Sequence, residues 1–317
     1  ENTLQQSMAT TDTLFEGERQ FLRRVPIDDR GQPTAARAIV VLVHCFGCQA
    51  SHEIQKFAPY ADRHALLLLA PEGLHSSFNS PSCCGQARRV GIDDIGLIDK
   101  IVSRTQSDDR PLPVFASGFS NGGFLVSTLP SASRTRFHGI APTAGHEYVL
   151  NAKHPVPIYM HHCKDDALVR TTGCCESESA PRCCCNIVNA FAAEQCVPTM
   201  DLFERWLRVN RCNTSIATRG PGGSTCHVGL GCRANTTLCL HGNGCFHQQW
   251  VRNFPATQQV AEFFAREACV WSEGHAAWNW DRGVCAVPSY PHSPTAAAAA
   301  AAMAVAQPRR LTRSLSR

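Results

Sequence analysis

Residues 118–122 read Gly-Phe-Ser-Asn-Gly, with Gly123 following, and no other segment narrows the possible folds as far. The apolar run Pro113–Ser117 precedes it, and a helix-compatible segment begins at about Asn121. A serine between glycines at a strand-to-helix junction marks a sharp turn. The turn holds the serine in a strained backbone conformation, which neighbours without side chains permit, and it lifts Oγ above the sheet. The free N–H groups at the start of the helix then lie beside the position of a developing oxyanion. A Ser- and Gly-rich tight turn without chemistry would explain the glycines. It would not explain the strand before them and the helix after.

The rest of the chain alternates in the same manner. Ala38–Val43 is a continuous apolar run ending at His44, and such a run suits a strand buried on both faces. Ala65–Ala70 repeats the pattern and stops at Pro71-Glu72-Gly73. Phe21–Ile27 reads as a further strand, followed by turn chemistry over Asp28–Pro33. Gly139–Pro142, Pro157–Met160 and Thr236–Leu240 are strand candidates, while Ile92–Val102, Leu202–Val209 and Ala256–Glu267 have helical apolar spacing. Strand-then-helix repetition with buried strands predicts the α/β class, a mainly parallel sheet flanked by helices. There is no internal repeat. The Cys-rich stretch 171–197 interrupts the alternation and reads as a disulfide-rich insertion. The expected layout is an irregular N-terminal segment over 1–20 and one α/β catalytic domain over 21–285. A Pro/Ala-rich basic tail, expected to be disordered, covers 286–317.

Composition bears on the compartment. The chain carries 18 cysteines, an even number that reduced cytosolic enzymes rarely reach, so an oxidised, secreted chain with paired cysteines is expected. Two glycosylation sequons, Asn213-Thr214-Ser215 and Asn235-Thr236-Thr237, fit that compartment. The first residue is Glu1 rather than Met, as in a chain whose signal peptide has been removed. The net charge of +4 equals the contribution of Arg309, Arg310, Arg313 and Arg317 in the tail. A neutral body argues against a nucleic-acid partner. No apolar run approaches the ~20 residues of a membrane helix, so no membrane partner is expected either. Clusters such as Cys174-Cys175, Cys183-Cys184-Cys185 and His161-His162-Cys163 invite a zinc reading. Their spacing lacks the paired Cys-x2-Cys units of a structural site, and disulfides account for them better. Adjacent cysteines are each expected to bond a distant partner.

Four segments together carry a family resemblance. Gly118-Phe119-Ser120-Asn121-Gly122-Gly123-Phe124 resembles the nucleophile segment of polyhydroxybutyrate depolymerase-like and feruloyl-esterase-like α/β-hydrolases. His44-Cys45-Phe46-Gly47 resembles the family's His-Gly-x-Gly loop. Cys83-Cys84-Gly85 with Asp93-Asp94-Ile95-Gly96 resembles a further block. His162-Cys163-Lys164-Asp165-Asp166 resembles the His-Gly-x-x-Asp segment that carries the acid. The likeness spans roughly residues 36–268 and implies an α/β-hydrolase fold with a Ser-His-Asp triad.

The resemblance assigns Ser120 as nucleophile and Asp166 rather than Asp165 as the acid. Asp93 and Asp94 precede the nucleophile, against the Ser-Asp-His order, and read as helix caps. For the oxyanion hole the resemblance implies the N–H groups of Phe46 and Asn121. A Cβ at Cys45, where the family has glycine, leaves Cys45 open as the alternative to Phe46. The base must follow the last core strand and precede the final helix, which selects His247. His275, in Gly274-His275-Ala276-Ala277-Trp278, has the more family-like local string but lies beyond that helix, and His241 is a third candidate. Trp250 and Phe119 are the expected substrate contacts. Cys45 or Cys48 is expected to bond Cys83 or Cys84, and Cys212 to bond Cys239. The implied activity is hydrolysis of carboxylic esters, either hydroxyalkanoate oligoesters or feruloyl and acetyl esters of plant polysaccharide. It needs no cofactor and no metal, and the protein is expected to be a monomer. A non-catalytic module of the same fold, binding carbohydrate or protein, is the alternative.

Overall fold

The computed structural model describes residues 10–81, 83–107, 109, 111–146, 152, 154–166, 168–173, 197–242, 245–247, 255–273, 278–279 and 284–285. Most of the Cys-rich stretch, Trp250, His275 and the tail over 286–317 lie outside them.

A ten-stranded sheet organises the described residues. The strands are β1 (Thr11–Glu16), β2 (Arg19–Arg24), β3 (Ala38–Val43), β4 (Leu66–Pro71), β5 (Val114–Phe119), β6 (Phe137–Thr143), β7 (Ile158–Cys163), β8 (Thr214–Arg219), β9 (Thr225–Leu230) and β10 (Thr236–His241). Their order is β1-β2-β4-β3-β5-β6-β7-β10-β9-β8. The strands from β4 to β10 in that order pair parallel, and antiparallel strands close both edges. The helices are α1 (Ala50–His64), α2 (Gly85–Val90), α3 (Asp94–Thr105), α4 (Asn121–Ala132), α5 (Thr199–Val209) and α6 (Ala256–Glu273).

The strand period of two explains why both faces need cover. In β3, Ile39, Val41 and Val43 join a cluster with Ile98 and Ile101 of α3, Leu125 and Leu129 of α4, and Phe203 and Trp206 of α5. Their neighbours Ala38, Val40 and Leu42 point to the other face, onto Ile54 and Phe57 of α1 and Val260 and Phe264 of α6. All six residues of β3 are buried, as are all six of β5 and of β7. The continuous apolar runs follow from that two-sided burial.

Three expectations change. Residues 11–16 form a strand rather than an irregular segment. The segment escapes a hydrophobic reading because β1 is an edge strand in a hairpin with β2 and has no fully buried residue. Helix α1 and the β8–β9 hairpin also lie where no element was expected. Pro59 sits inside α1, and β8 is exposed at all six positions, so neither shows a clean apolar pattern. Asp93 does cap α3, its carboxylate accepting from the Gly96 N–H at 2.7 Å.

Six disulfides join described cysteines: 45–48, 83–84, 163–245, 212–232, 226–239 and 269–285. The expected bonds between the 45/48 and 83/84 pairs are not made, because each pair closes on itself. Adjacent Cys83 and Cys84 are therefore bonded to each other. Cys212 bonds Cys232 rather than Cys239, since both flank the β8–β9 hairpin, whose register pairs Thr214 with Leu230. Cys239 lies opposite Cys226 across β9–β10. Thiol titration of the denatured, unreduced protein should accordingly find few free thiols. A dozen or more would contradict this network, in which the bonds that close the longer loops contribute about 2–4 kcal/mol each. Among the described residues no helix is long and apolar enough to cross a membrane.

Candidate active site

The end of β5 turns directly into α4 at Ser120, whose φ of 54° and ψ of −116° lie where a residue with a side chain is strained. The glycines permit the turn. A Cβ on Gly118 would meet the Gly122 carbonyl, and one on Gly122 would meet the Val43 carbonyl. The expected role of these glycines is visible as close backbone approach.

His247 lies on the loop between β10 and α6. Its Nε2 is 2.8 Å from Ser120 Oγ, and its Nδ1 is 2.7 Å from Asp166 Oδ2. A carboxylate only accepts, so Nδ1 carries the proton and Nε2 presents a lone pair to the serine hydroxyl. Asp166 sits three residues past the end of β7. Its Oδ1 accepts from the Leu168 and Val169 N–H groups, both at 2.8 Å, and Oδ2 also lies 3.1 Å from His162 Nε2. Burial alone would raise the Asp166 pKa. The hydrogen bonds and nearby charge of His162 and His247 outweigh it and hold the carboxyl well below the usual range. Asp166 is therefore ionised at neutral pH. Asp165, its neighbour, is exposed.

Two features hold the imidazole. The Phe119 ring lies 5.1 Å from the His247 ring, centroid to centroid, and Phe119 is only 8% exposed. It packs against the imidazole, a contact the expected role in substrate binding did not anticipate. The Cys163–Cys245 disulfide ties the end of β7 to a position two residues before His247. His241 is buried in β10, and burial, with His162 nearby, pushes its pKa down to about 4. No contact brings it to Ser120 among the described residues. Trp250 and His275 lie outside those residues.

The loop after β3 approaches the same point. Gly47 N–H donates to Ser76 O at 2.8 Å and Cys48 N–H to Cys45 O at 3.1 Å, while Phe46 N–H has no backbone acceptor among the described residues. His44 Nδ1–H donates to Cys45 O at 2.7 Å, and its Nε2 accepts from Gly73 N–H at 3.0 Å. These contacts hold the ring under the loop, with Nε2 also 3.3 Å from Glu72 Oε1. The Asn121 side chain is fully buried and tethers the start of α4. Its Oδ1 accepts from Phe78 N–H (2.7 Å), and its Nδ2 donates to the carbonyls of Phe78 (3.0 Å) and Cys83 (2.6 Å). These anchoring roles of His44, Asn121 and His162 escaped the sequence, although all three stand inside the family-like segments. Two large aromatics remain exposed, Phe46 at 39% on the loop after β3 and Phe246 at 58% immediately before His247.

Cys163, Asp165 and Cys245 are the one group among the described residues whose ligand atoms lie within 4.8 Å of one another. Two of those atoms are the bonded sulfurs of the disulfide.

No family model and no curated protein matches the sequence. Solved structures do match it. The acetyl xylan esterase from Aspergillus awamori aligns over 80% of this chain and 98% of its own, with 11% identity and a TM-score of 0.50. A thermostable esterase aligns over 82% of this chain with 15% identity and a TM-score of 0.48, and this chain spans 61% of its length. At these identities the likeness concerns the fold. Together with the sheet order, it shows that the chain has the α/β-hydrolase fold.

Proposed function

We propose that the chain is a secreted carboxylic ester hydrolase that works by two-step acyl transfer. The hydrogen-bonded series Ser120–His247–Asp166 at a strained elbow carries this reading. Ser120 Oγ attacks the ester carbonyl while His247 Nε2 takes its proton, and Asp166 stabilises the resulting imidazolium. The N–H groups of Phe46 and Asn121, the latter at the positive end of α4, hold the oxyanion. His247 then returns the proton to the leaving alcohol. Water, activated by the same imidazole, releases the acid and restores the serine.

The disulfides support an extracellular setting. The substrate class follows from the resemblance: hydroxyalkanoate oligoesters, or feruloyl and acetyl esters on plant polysaccharide. A monomer suffices, because one chain supplies every group named. The test is a fluorophosphonate probe, which should label Ser120 stoichiometrically, followed by a panel of hydroxybutyrate oligomers, methyl ferulate and short p-nitrophenyl esters. Absence of capture at Ser120 would leave the non-catalytic binding module as the better account.

A further inference from the structure

The Asp166 carboxylate has four donors, and only His247 among them takes part in the proton transfers above. Leu168 and Val169 N–H hold Oδ1, while His247 and His162 converge on Oδ2. We infer that His162 is a positioning residue for the acid: its Nε2–H shares Oδ2 with the base, fixing both the aim of that oxygen and its basicity. The inference rests on the hydrolase reading.

Three observations carry it. The first is the tautomer. His162 Nε2 lies 2.8 Å from the Val169 carbonyl as well as 3.1 Å from Oδ2, and both oxygens only accept, so the proton sits on Nε2. The second is anchorage. His162 is on β7, a strand buried along its whole length, and its Nδ1 faces Thr199 Oγ1 at 3.3 Å. The ring cannot turn without losing one of these contacts. The third is the surroundings. His146, buried three residues past the end of β6, meets the His162 ring edge-on at 5.1 Å, and neither of its nitrogens has a hydrogen-bond partner among the described residues. Burial pushes the His146 pKa well down, with His162 and His161 adding to it, so a neutral ring seals that side. The titratable groups facing His162 are thus Asp166 and His247 above it, His146 from β6, His161 beside it on β7, and His241 from β10, itself held neutral at pH 7. Among the described residues, none of these groups carries the fixed positive charge that would be needed to take over from the donor on Oδ2.

A second donor on Oδ2 draws charge from the carboxylate and weakens its hold on the His247 cation. Removing it should make Asp166 more basic and His247 easier to protonate. The acid limb of kcat/KM should then move to higher pH. A merely structural loss would lower the active fraction without moving that limb.

The experiment compares wild type, His162→Leu and His162→Gln on a soluble p-nitrophenyl ester across pH. The leucine variant should lose about 10- to 100-fold in kcat, because the carboxylate is misplaced, with KM within about twofold. Its acid limb should rise by roughly half a pH unit. The glutamine variant keeps an amide N–H at similar reach and should recover most of kcat and the wild-type limb. An unmoved limb in the leucine variant, or identical behaviour of the two variants, overturns the inference. If the leucine variant does not fold, His162→Asn, whose amide is too short to reach Oδ2 from β7, replaces it with the same two outcomes. Fluorophosphonate capture is measured in parallel. A wild-type protein that is not captured at Ser120 defeats the hydrolase reading itself, whereas normal capture with an unmoved limb defeats only the role of His162.

Discussion

Ser120→Ala should abolish ester hydrolysis, with kcat falling by about 10^4 to 10^6 while the fold persists. The variant removes one buried oxygen whose partner is the His247 ring and leaves the glycine-bounded turn intact. Small residual turnover should survive, since the N–H groups of Phe46 and Asn121 still favour a bound oxyanion. Circular dichroism and the thermal midpoint should match wild type. Wild-type turnover from the purified variant would end the serine-hydrolase reading.

The second large effect concerns the base. His247→Ala should lose several orders of magnitude in kcat on the same ester, because no other imidazole is placed to receive the Ser120 proton among the described residues. The loss should approach that of the serine variant, about 10^4-fold or more, as triad members act as a unit. His275→Ala should keep most of its activity. The two variants assayed side by side separate the candidates. The reverse result would mean that a histidine beyond α6 reaches the elbow.

The sequence made the parallel core legible because its strands are buried on both faces and so read as unbroken apolar runs. The elbow was legible for a different reason: steric demand at Gly118 and Gly122 restricts the residue type itself. His247 could be singled out by the order of elements alone, β10 before it and α6 after. The edges of the sheet were not legible. In β8 every side chain is solvent-exposed, so hydrophobic period carries no signal there. That gap propagated to the disulfides. Once β9 is placed against β10, Cys226 faces Cys239 in register, and Cys212 and Cys232 meet beyond the hairpin's open end. Without the hairpin, Cys212 and Cys239 looked like a pair. The contact between Phe119 and His247 depends on where two remote loops meet, and no local pattern encodes that.

The bond between Cys163 and Cys245 has a consequence for how an active molecule is made. Its two cysteines stand 82 residues apart. Between them in the chain lie Cys174, Cys175, Cys183, Cys184, Cys185, Cys196, Cys212, Cys226, Cys232 and Cys239, all nearer to Cys163 than its native partner is. Closing a shorter loop loses less entropy, by about 0.6 kcal/mol for each halving of length, so an unfolded oxidising chain pairs Cys163 wrongly more often than rightly. Native pairing is then reached by thiol exchange rather than by first encounter, over seconds to hours depending on oxidant and isomerase. The loop carrying His247 is fastened to β7 only once that native bond is made. Until then the loop that carries His247 to Ser120 lacks its covalent tie to the sheet, and only its non-covalent contacts hold it there.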